Sequence, residues 1–370
     1  MVMKNPFVTN GYAGPEYFCD RVEETQHITE MLTNENNMAL VSPRRIGKTE
    51  LIHHCFAQPA IQKDYYTFII DIYSTNSVSD LVNMFGKAII DELLGEKNIP
   101  AGLKEQADGK RIDHLYTYQN LITSKNQEPV YYIGDSKYYK LGHAIGKESV
   151  YKQFTYARNI IQWNLNLFMN DDKNDEELQY DKRNFGNVPK LRDDLTEGYN
   201  IIPNFFISAK MAENLSFSDQ ISSTNREQKC FNTQHFNDRL FDRDTLLVFH
   251  YDVNFLYVVS LYARHNEHQK FSWKNRVRKM FRDEIQKMLD ERYEFYRLTP
   301  KEGTQVEEFV SRHFRKLIGK IFSPTKSYNY LILALEKNDS DEKQKEEIID
   351  VIKEKFHIEK FALSDNEGNY

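Results

Sequence analysis

The chain has 370 residues, 40% of them hydrophobic and 13% aromatic, and its 49 basic and 55 acidic residues give a formal net charge of −6. That composition excludes a disordered chain and leaves room for two or three cores. The three cysteines, at positions 19, 55 and 230, have no paired spacing, which argues against a zinc module or a disulfide framework and predicts a reducing, cytoplasmic setting.

The predicted elements alternate: helix over 21–33, strand over 38–42, helix over 48–57, strand over 65–73 and helix over 77–95, the order of a parallel α/β unit. Between 95 and 109 Pro and Gly loosen the pattern, which sets a domain boundary near residue 97. Beyond it, strands at 110–118 and 129–139 precede a helix at 149–163 and an acidic segment at 170–183 that reads as a mobile loop. Strands follow at 200–208 and 245–251, helices at 272–292 and 304–320, a strand at 329–335 and a charged helix at 340–355. No repeat of fixed period is present. The N-terminus lacks an apolar core, and the longest apolar run, 246–262, is broken by His250, Asp252 and Asn254. Neither a signal peptide nor a membrane span is therefore expected.

Ser42-Pro43-Arg44-Arg45-Ile46-Gly47-Lys48-Thr49 stands between the apolar run 38–41 and a helix. A phosphate loop needs this placement: backbone N–H groups and a helix N-terminus face the anion, the lysine reaches the terminal phosphates and the hydroxyl binds Mg²⁺. Ser42 stands where the general pattern has its first glycine. With CDRVEE (19–24) and FIIDIYS (68–74), the segment SPRRIGKTEL (42–51) resembles the archaeal-type P-loop ATPases over about residues 5–97. The resemblance implies ATP as a ligand of Gly47, Lys48 and Thr49, with Ser42, Arg44 and Arg45 in the same loop. A hydrolase also needs a strand-end acid for Mg²⁺ and water. Asp71 and Asp91-Glu92 read more easily as structure, so residues 1–97 look like an incomplete unit suited to binding ATP more than to hydrolysing it.

Asp135 and Lys137, two apart on a predicted strand, project from one face, and Asp113 reaches the same point if the 110–118 strand is its hairpin neighbour. Two carboxylates and an amine suit metal-dependent phosphodiester hydrolysis, in which the acids hold Mg²⁺ and the lysine orients water or stabilises developing charge. GKRIDHLYTY (109–118), VYYIGDSKYYK (130–140) and ESVYKQFTYARNII (148–161) resemble the PD-(D/E)xK nuclease superfamily. More narrowly, about 105–335 resembles LlaJI-type, McrC-like restriction endonucleases, with NVPKLRDDLTEGYNIIPNFFIS (187–208) and FNDRLFDRDTLLVFHYDVNFLY (236–257) as further matching stretches. The resemblance implies Asp113 and Asp135 as Mg²⁺ ligands, Lys137 as the catalytic lysine and Gln153 as an orienting group. It also implies double-stranded DNA as substrate and a separate NTP-driven motor subunit as partner in a restriction or defence system. The glutamate that the superfamily often adds ahead of the first acid is left open among Glu92, Glu96 and Glu105.

Residues 266–326 carry 15 basic and 9 acidic residues, a block of +6 in an acidic chain. Trp273, Val277, Phe281, Ile285 and Met288 form one helical stripe, and Lys274, Arg278 and Arg282 recur at i, i+4 on another face. With Arg312, Arg315, Lys316 and Lys320 they form an expected phosphate-contacting surface. His53-His54-Cys55 reads as packing, and Asp244, His250 and Asp252 as caps or satisfied polar groups. The expected fold is thus α/β: an incomplete P-loop NTPase-like unit (1–97), then a restriction-endonuclease-like mixed sheet flanked by helices (98–370). The expected function is Mg²⁺-dependent DNA cleavage. The alternatives are an ATP-binding P-loop regulatory protein or AAA-type ATPase whose C-terminal half binds DNA, or an inactive mosaic of the two; no membrane partner is expected and self-association stays open.

Overall fold

A computed structural model describes residues 12, 14, 15, 18, 21–41, 43, 47–73, 75–94, 112–123, 129–137, 146–169, 191–193, 195–210, 221–223, 232–234, 237–263, 267–324, 329–337 and 342–366. Ser42, Arg44, Arg45, Glu96, Glu105 and the acidic segment 170–183 lie outside the described residues, as does the side chain of Lys137. The chain forms two compact units, 1–69 and 70–370. No helix among the described residues is long and apolar enough to cross a membrane.

In the first unit, α1 (Val22–Thr33), α2 (Lys48–Phe56) and α3 (Pro59–Asp64) gather around Ile28, Leu51 and Cys55, with Phe18 and Leu32 at the margin. Pro59 opens α3, where a missing N–H costs nothing. The strands expected over 38–42 and 65–73 do not form among the described residues. Val41 is 91% exposed and Ile69 is 48% exposed. The apolar, β-branched composition that predicts a strand becomes one only where a neighbour supplies the ladder.

The second unit begins before the expected boundary near 97, because α4 (Val78–Leu94) packs on its main sheet. In that sheet β1 (His114–Tyr118) runs antiparallel to β2 (Val130–Lys137), and β2, β3 (Pro203–Lys210) and β6 (Leu246–Asn254) run parallel. Two short strands, β4 (Ile221–Ser223) and β5 (Asn232–Gln234), pair antiparallel with β6. Helices cover both faces, which is why the central strands are apolar nearly throughout. On one face Val150 and Phe154 of α5 (Lys147–Met169) pack on Phe206, Leu246 and Val248. On the other, Phe281 of α7 (Glu267–Arg292) stacks 4.0 Å from Tyr251 and 4.7 Å from Phe205. Two glycines permit close approach on that side. A Cβ on Gly86 would lie 2.4 Å from that of Ala209, so α4 rests directly on β3; one on Gly134 would lie 2.2 Å from the Phe205 ring.

Between β6 and α7 the chain forms α6 (Phe255–Ala263). A second sheet, antiparallel in the order β10 (Phe356–Phe361), β7 (Tyr293–Pro300), β9 (Leu331–Glu336), β8 (Ile321–Phe322), follows α7. Its leucine-rich face is closed by α8 (Val306–Leu317) and α9 (Glu342–Lys355) through Phe309, Val310, Ile348 and Ile352. The molecule is therefore mixed α/β, as expected in class.

Candidate active site

The hairpin register decides which acids meet. His114 pairs with Gly134, so Asp113, one residue ahead, stands opposite Asp135. Side chains directly opposite one another across an antiparallel pair are nearest neighbours on one face. The Asp135 carboxyl lies within hydrogen-bond reach of Asp113. Asp135 is 3% exposed. Burial works to raise the Asp113 pKa, but the Asp135 hydrogen bond and the Lys87 ammonium outweigh it and hold Asp113 down at about 2. The backbone N–H of Ser136 also donates to Asp113 Oδ2, at 3.2 Å. Asp113 is thus held in its ionised form.

Lys87 comes from α4. Its Nζ contacts Asp113 Oδ2 directly and lies 3.2 Å from Asp91 Oδ2, one helical turn on. Burial works to lower the Lys87 pKa, and the charges of Asp91 and Asp113 more than reverse it, so the amine is raised. Asp91 is held from behind: Ser136 Oγ donates to its Oδ1 at 2.8 Å, and His114 Nε2 lies 3.1 Å from the same atom and 2.6 Å from Ser136 Oγ. Because Ser136 alternates with Asp135 along β2, one strand supplies an acid to one face and a support for Asp91 on the other. The acid that joins the centre from the upstream helix is Asp91, and Glu92 is not it. One residue on, Glu92 points about 100° away around the helix and acts on the Tyr262 hydroxyl, whose pKa burial and this charge raise. The i, i+4 pair Lys87/Asp91 was the signal available in the sequence.

Lys137 closes β2, aligned with Ser208 of β3, which is aligned with Asp252 of β6. In the neighbouring row Asp135 aligns with Phe206, and Phe206 with His250. Gln153 lies on the stripe of α5 that also presents Val150 and Phe154 to the Phe206 face. It is fully buried, and neither its Nε2 nor its Oε1 has a hydrogen-bond partner among the described residues. An amide in that state is costly unless another group completes it. His250 is buried, which lowers its pKa to about 4 and keeps the ring neutral.

Among the described residues no group of three or more His, Cys, Asp or Glu side chains is arranged to hold a metal ion. The pair Asp113 and Asp135 nevertheless has the donor chemistry Mg²⁺ takes, since that ion is commonly held by one or two carboxylates together with waters and substrate phosphate oxygens. Lys87 Nζ, seated against Asp113, is a cation already standing at that pair.

The basic stripe of α7 is corrected by the structure. Arg278 is 7% exposed and Arg282 is 3% exposed. Arg278 Nη2 donates to Leu94 O at 3.0 Å, and its guanidinium lies 4.0 Å from the centre of the Tyr116 ring. Arg282 Nε donates to Asn120 O at 3.2 Å and Nη1 to Gln286 Oε1 at 2.9 Å, while Gln286 Nε2 donates to Leu121 O at 2.7 Å. These arginines face the interior because α7 is covered on more than one side and neighbouring backbone carbonyls need donors there. Lys274 is partly buried, and Lys320 is buried against Asp238. Arg315 and Lys316 of α8 are exposed, Lys316 lying 3.5 Å from Glu347, and Arg312 is paired with Glu308 at 2.6 Å.

In the first unit, Gly47 takes a left-handed φ of 76° immediately before α2, whose first residues are Lys48 and Thr49. Lys48 Nζ donates to Pro43 O at 2.6 Å. Asp71, at the start of the second unit, binds its own turn, accepting from Tyr73 N at 3.0 Å. His54 meets Tyr12 Oη at 3.0 Å and stacks 4.1 Å from Phe18, and Cys55 is buried, the packing role expected of that tripeptide.

No protein-family model matches the chain, and neither the curated proteins nor the solved structures supply a match.

Proposed function

We propose that the second unit is a Mg²⁺-dependent DNA endonuclease, with Asp113, Asp135 and Lys137 at its centre. The observation that carries this reading is the β1–β2 register, His114 on Gly134, which sets Asp113, the residue before β1, beside Asp135 near the end of β2. The ends of parallel strands are where α/β sheets gather ligands. The ionised Asp113 and the buried Asp135 hold the ion, which when bound neutralises the scissile phosphate and acidifies an attacking water. Lys137 orients that water or meets charge developing on the phosphoryl oxygens. Gln153 positions one of these groups through its amide, and Asp91 supports the centre from α4. Double-stranded DNA, a separate NTP-driven motor and a restriction or defence role belong to the same reading. Supercoiled plasmid incubated with Mg²⁺ is expected to be nicked or linearised. Full cutting by Asp135→Asn and Lys137→Ala proteins would overturn the reading.

A second reading concerns the first unit. The left-handed Gly47 ahead of Lys48 and Thr49 supports ATP binding at the start of α2. It is tested by titrating a fluorescent ATP analogue with Mg²⁺ into wild-type and Lys48→Ala proteins; the absence of saturable binding to the wild type sinks it.

A further inference from the structure

Among the described residues, Lys87 is a charged group against Asp113 to which the proposed nuclease reading gives no role. It is an amine delivered by a helix, and its Nζ sits against one carboxylate oxygen and 3.2 Å from another. Three features make this placement more than a surface ion pair. First, Gly86, beside it in the chain, lets α4 lie directly on β3, so the stem of Lys87 starts close to the sheet. Second, Asp91 is braced by Ser136 and His114, so the second carboxylate that Lys87 meets is held in place. Third, Asp113 Oδ2, which Lys87 contacts, also accepts from Ser136 N, so the amine and the backbone donor together saturate the oxygen an incoming cation would need.

From this geometry we infer that Lys87 is a tethered cation that occupies the divalent-ion position of the acid centre and must withdraw from Asp113 before an ion binds there. The inference rests on the reading of Asp113 and Asp135 as a metal-binding pair. In the ion-free protein Lys87 balances the carboxylates and keeps the centre assembled. On loading, one cation replaces another: the amine moves into solvent, carrying its proton, and the ion takes its place. Affinity for the ion is then set by this exchange, so the centre stays empty at low ion concentration and fills only when the ion, or an ion accompanied by a phosphate group, outcompetes the lysine.

Calorimetric titration of Mn²⁺ into full-length wild type, Lys87→Met and Asp135→Asn proteins tests the exchange without reference to cutting. Lys87→Met removes the charge and keeps the length, and it is expected to bind Mn²⁺ about tenfold or more tightly than wild type, because a unit charge has left the immediate surroundings of the ion. Without metal the variant should melt at lower temperature than wild type, and Mn²⁺ should raise its melting temperature further than it raises that of wild type. Binding by wild type and Lys87→Met with equal affinity, or weaker binding by the variant, overturns the exchange while leaving the metal-binding pair standing. Binding by neither protein, or undiminished binding by Asp135→Asn, removes the metal-binding reading itself. Should Lys87→Met not fold, a wild-type crystal soaked in Mn²⁺ decides. Lys87 Nζ away from both carboxylates supports the exchange, and Nζ still on Asp113 beside a bound ion overturns it.

Discussion

The phosphate loop of the first unit and the acid pair of the second are both conspicuous in the sequence, and they fare differently in three dimensions. Around Gly47, Lys48 and Thr49 the helix begins where expected, but the strands expected to flank the loop do not form among the described residues and Val41 is solvent-exposed. Around Asp113 and Asp135 both strands are paired, in a register that sets the two acids face to face. A motif names chemistry; a ladder of hydrogen bonds fixed on both sides makes separate residues converge. What the comparison teaches is that the strand beneath a motif matters more than how well the motif fits its pattern, for the triplet Asp135-Ser136-Lys137 is a weaker pattern than Gly47-Lys48-Thr49 and yet sits on the firmer support.

The largest expected effect tests the firmer side. Replacing Lys137 with Ala should reduce plasmid cutting by about 10²–10³, the usual consequence of losing one group that meets transition-state charge. A loss of less than tenfold in a single-turnover assay would put the centre on the same footing as the loop. Next comes a pH effect on folding. His250 titrates at about 4 in the folded chain against 6.5 normally. The unfolded chain therefore takes up its proton first, so stability is fully present above about pH 6.5, is lost as pH falls toward 4, and is flat below. Asp113 shifts in the opposite chemical sense and acts lower. Its folded value of about 2 against 3.8 gives stability that is present above 3.8 and lost as pH falls toward 2. Between pH 6.5 and 4 the loss from His250 should be roughly 2–3 kcal/mol, and urea unfolding of His250→Phe should show that part of the slope gone. An unchanged slope would mean that His250 is not buried in neutral form.

Much of the second unit was legible. The helix pattern of α4, the strand pairs and the amphipathic α8 and α9 follow from periodicity. Three element junctions that escaped share a physical cause: the chain passes from one element to the next without Gly or Pro. β6 runs straight into α6 at Asn254-Phe255, α7 into β7 at Arg292-Tyr293, and α9 into β10 at Lys355-Phe356. With no punctuation between them, a period-based reading absorbs the second element or leaves it out. Asp91 escaped for a different reason: its role depends on which face of α4 meets the sheet, which is settled by Gly86 against Ala209. The arginine stripe was visible as a stripe, but the sequence holds nothing that says which carbonyls await it.

Two smaller effects separate interior from exterior charge. Arg282→Ala strands the Asn120 carbonyl and the Gln286 amide, and should cost about 1–3 kcal/mol of stability, read in urea unfolding. Arg315→Gln together with Lys316→Gln should leave stability within about 0.5 kcal/mol. If α8 touches DNA, the same pair should lower the salt dependence of binding by about one to two contacts. The opposite pattern, a silent Arg282 variant and a destabilised α8 double variant, would reverse the assignment.

Arg278 ends where α4 ends, its guanidinium on the last carbonyl of that helix and against the ring of Tyr116 in β1. It acts as a splint between the helix that carries Lys87 and Asp91 and the strand that follows Asp113, holding apart and together the two sides of one small gap. A helix that by charge count resembles a handle for an outside polyanion is, at this residue, a caliper for the acids. Substitution there should be felt first in the spacing of the Lys87 and Asp113 contact, well away from any surface where a ligand is weighed against salt.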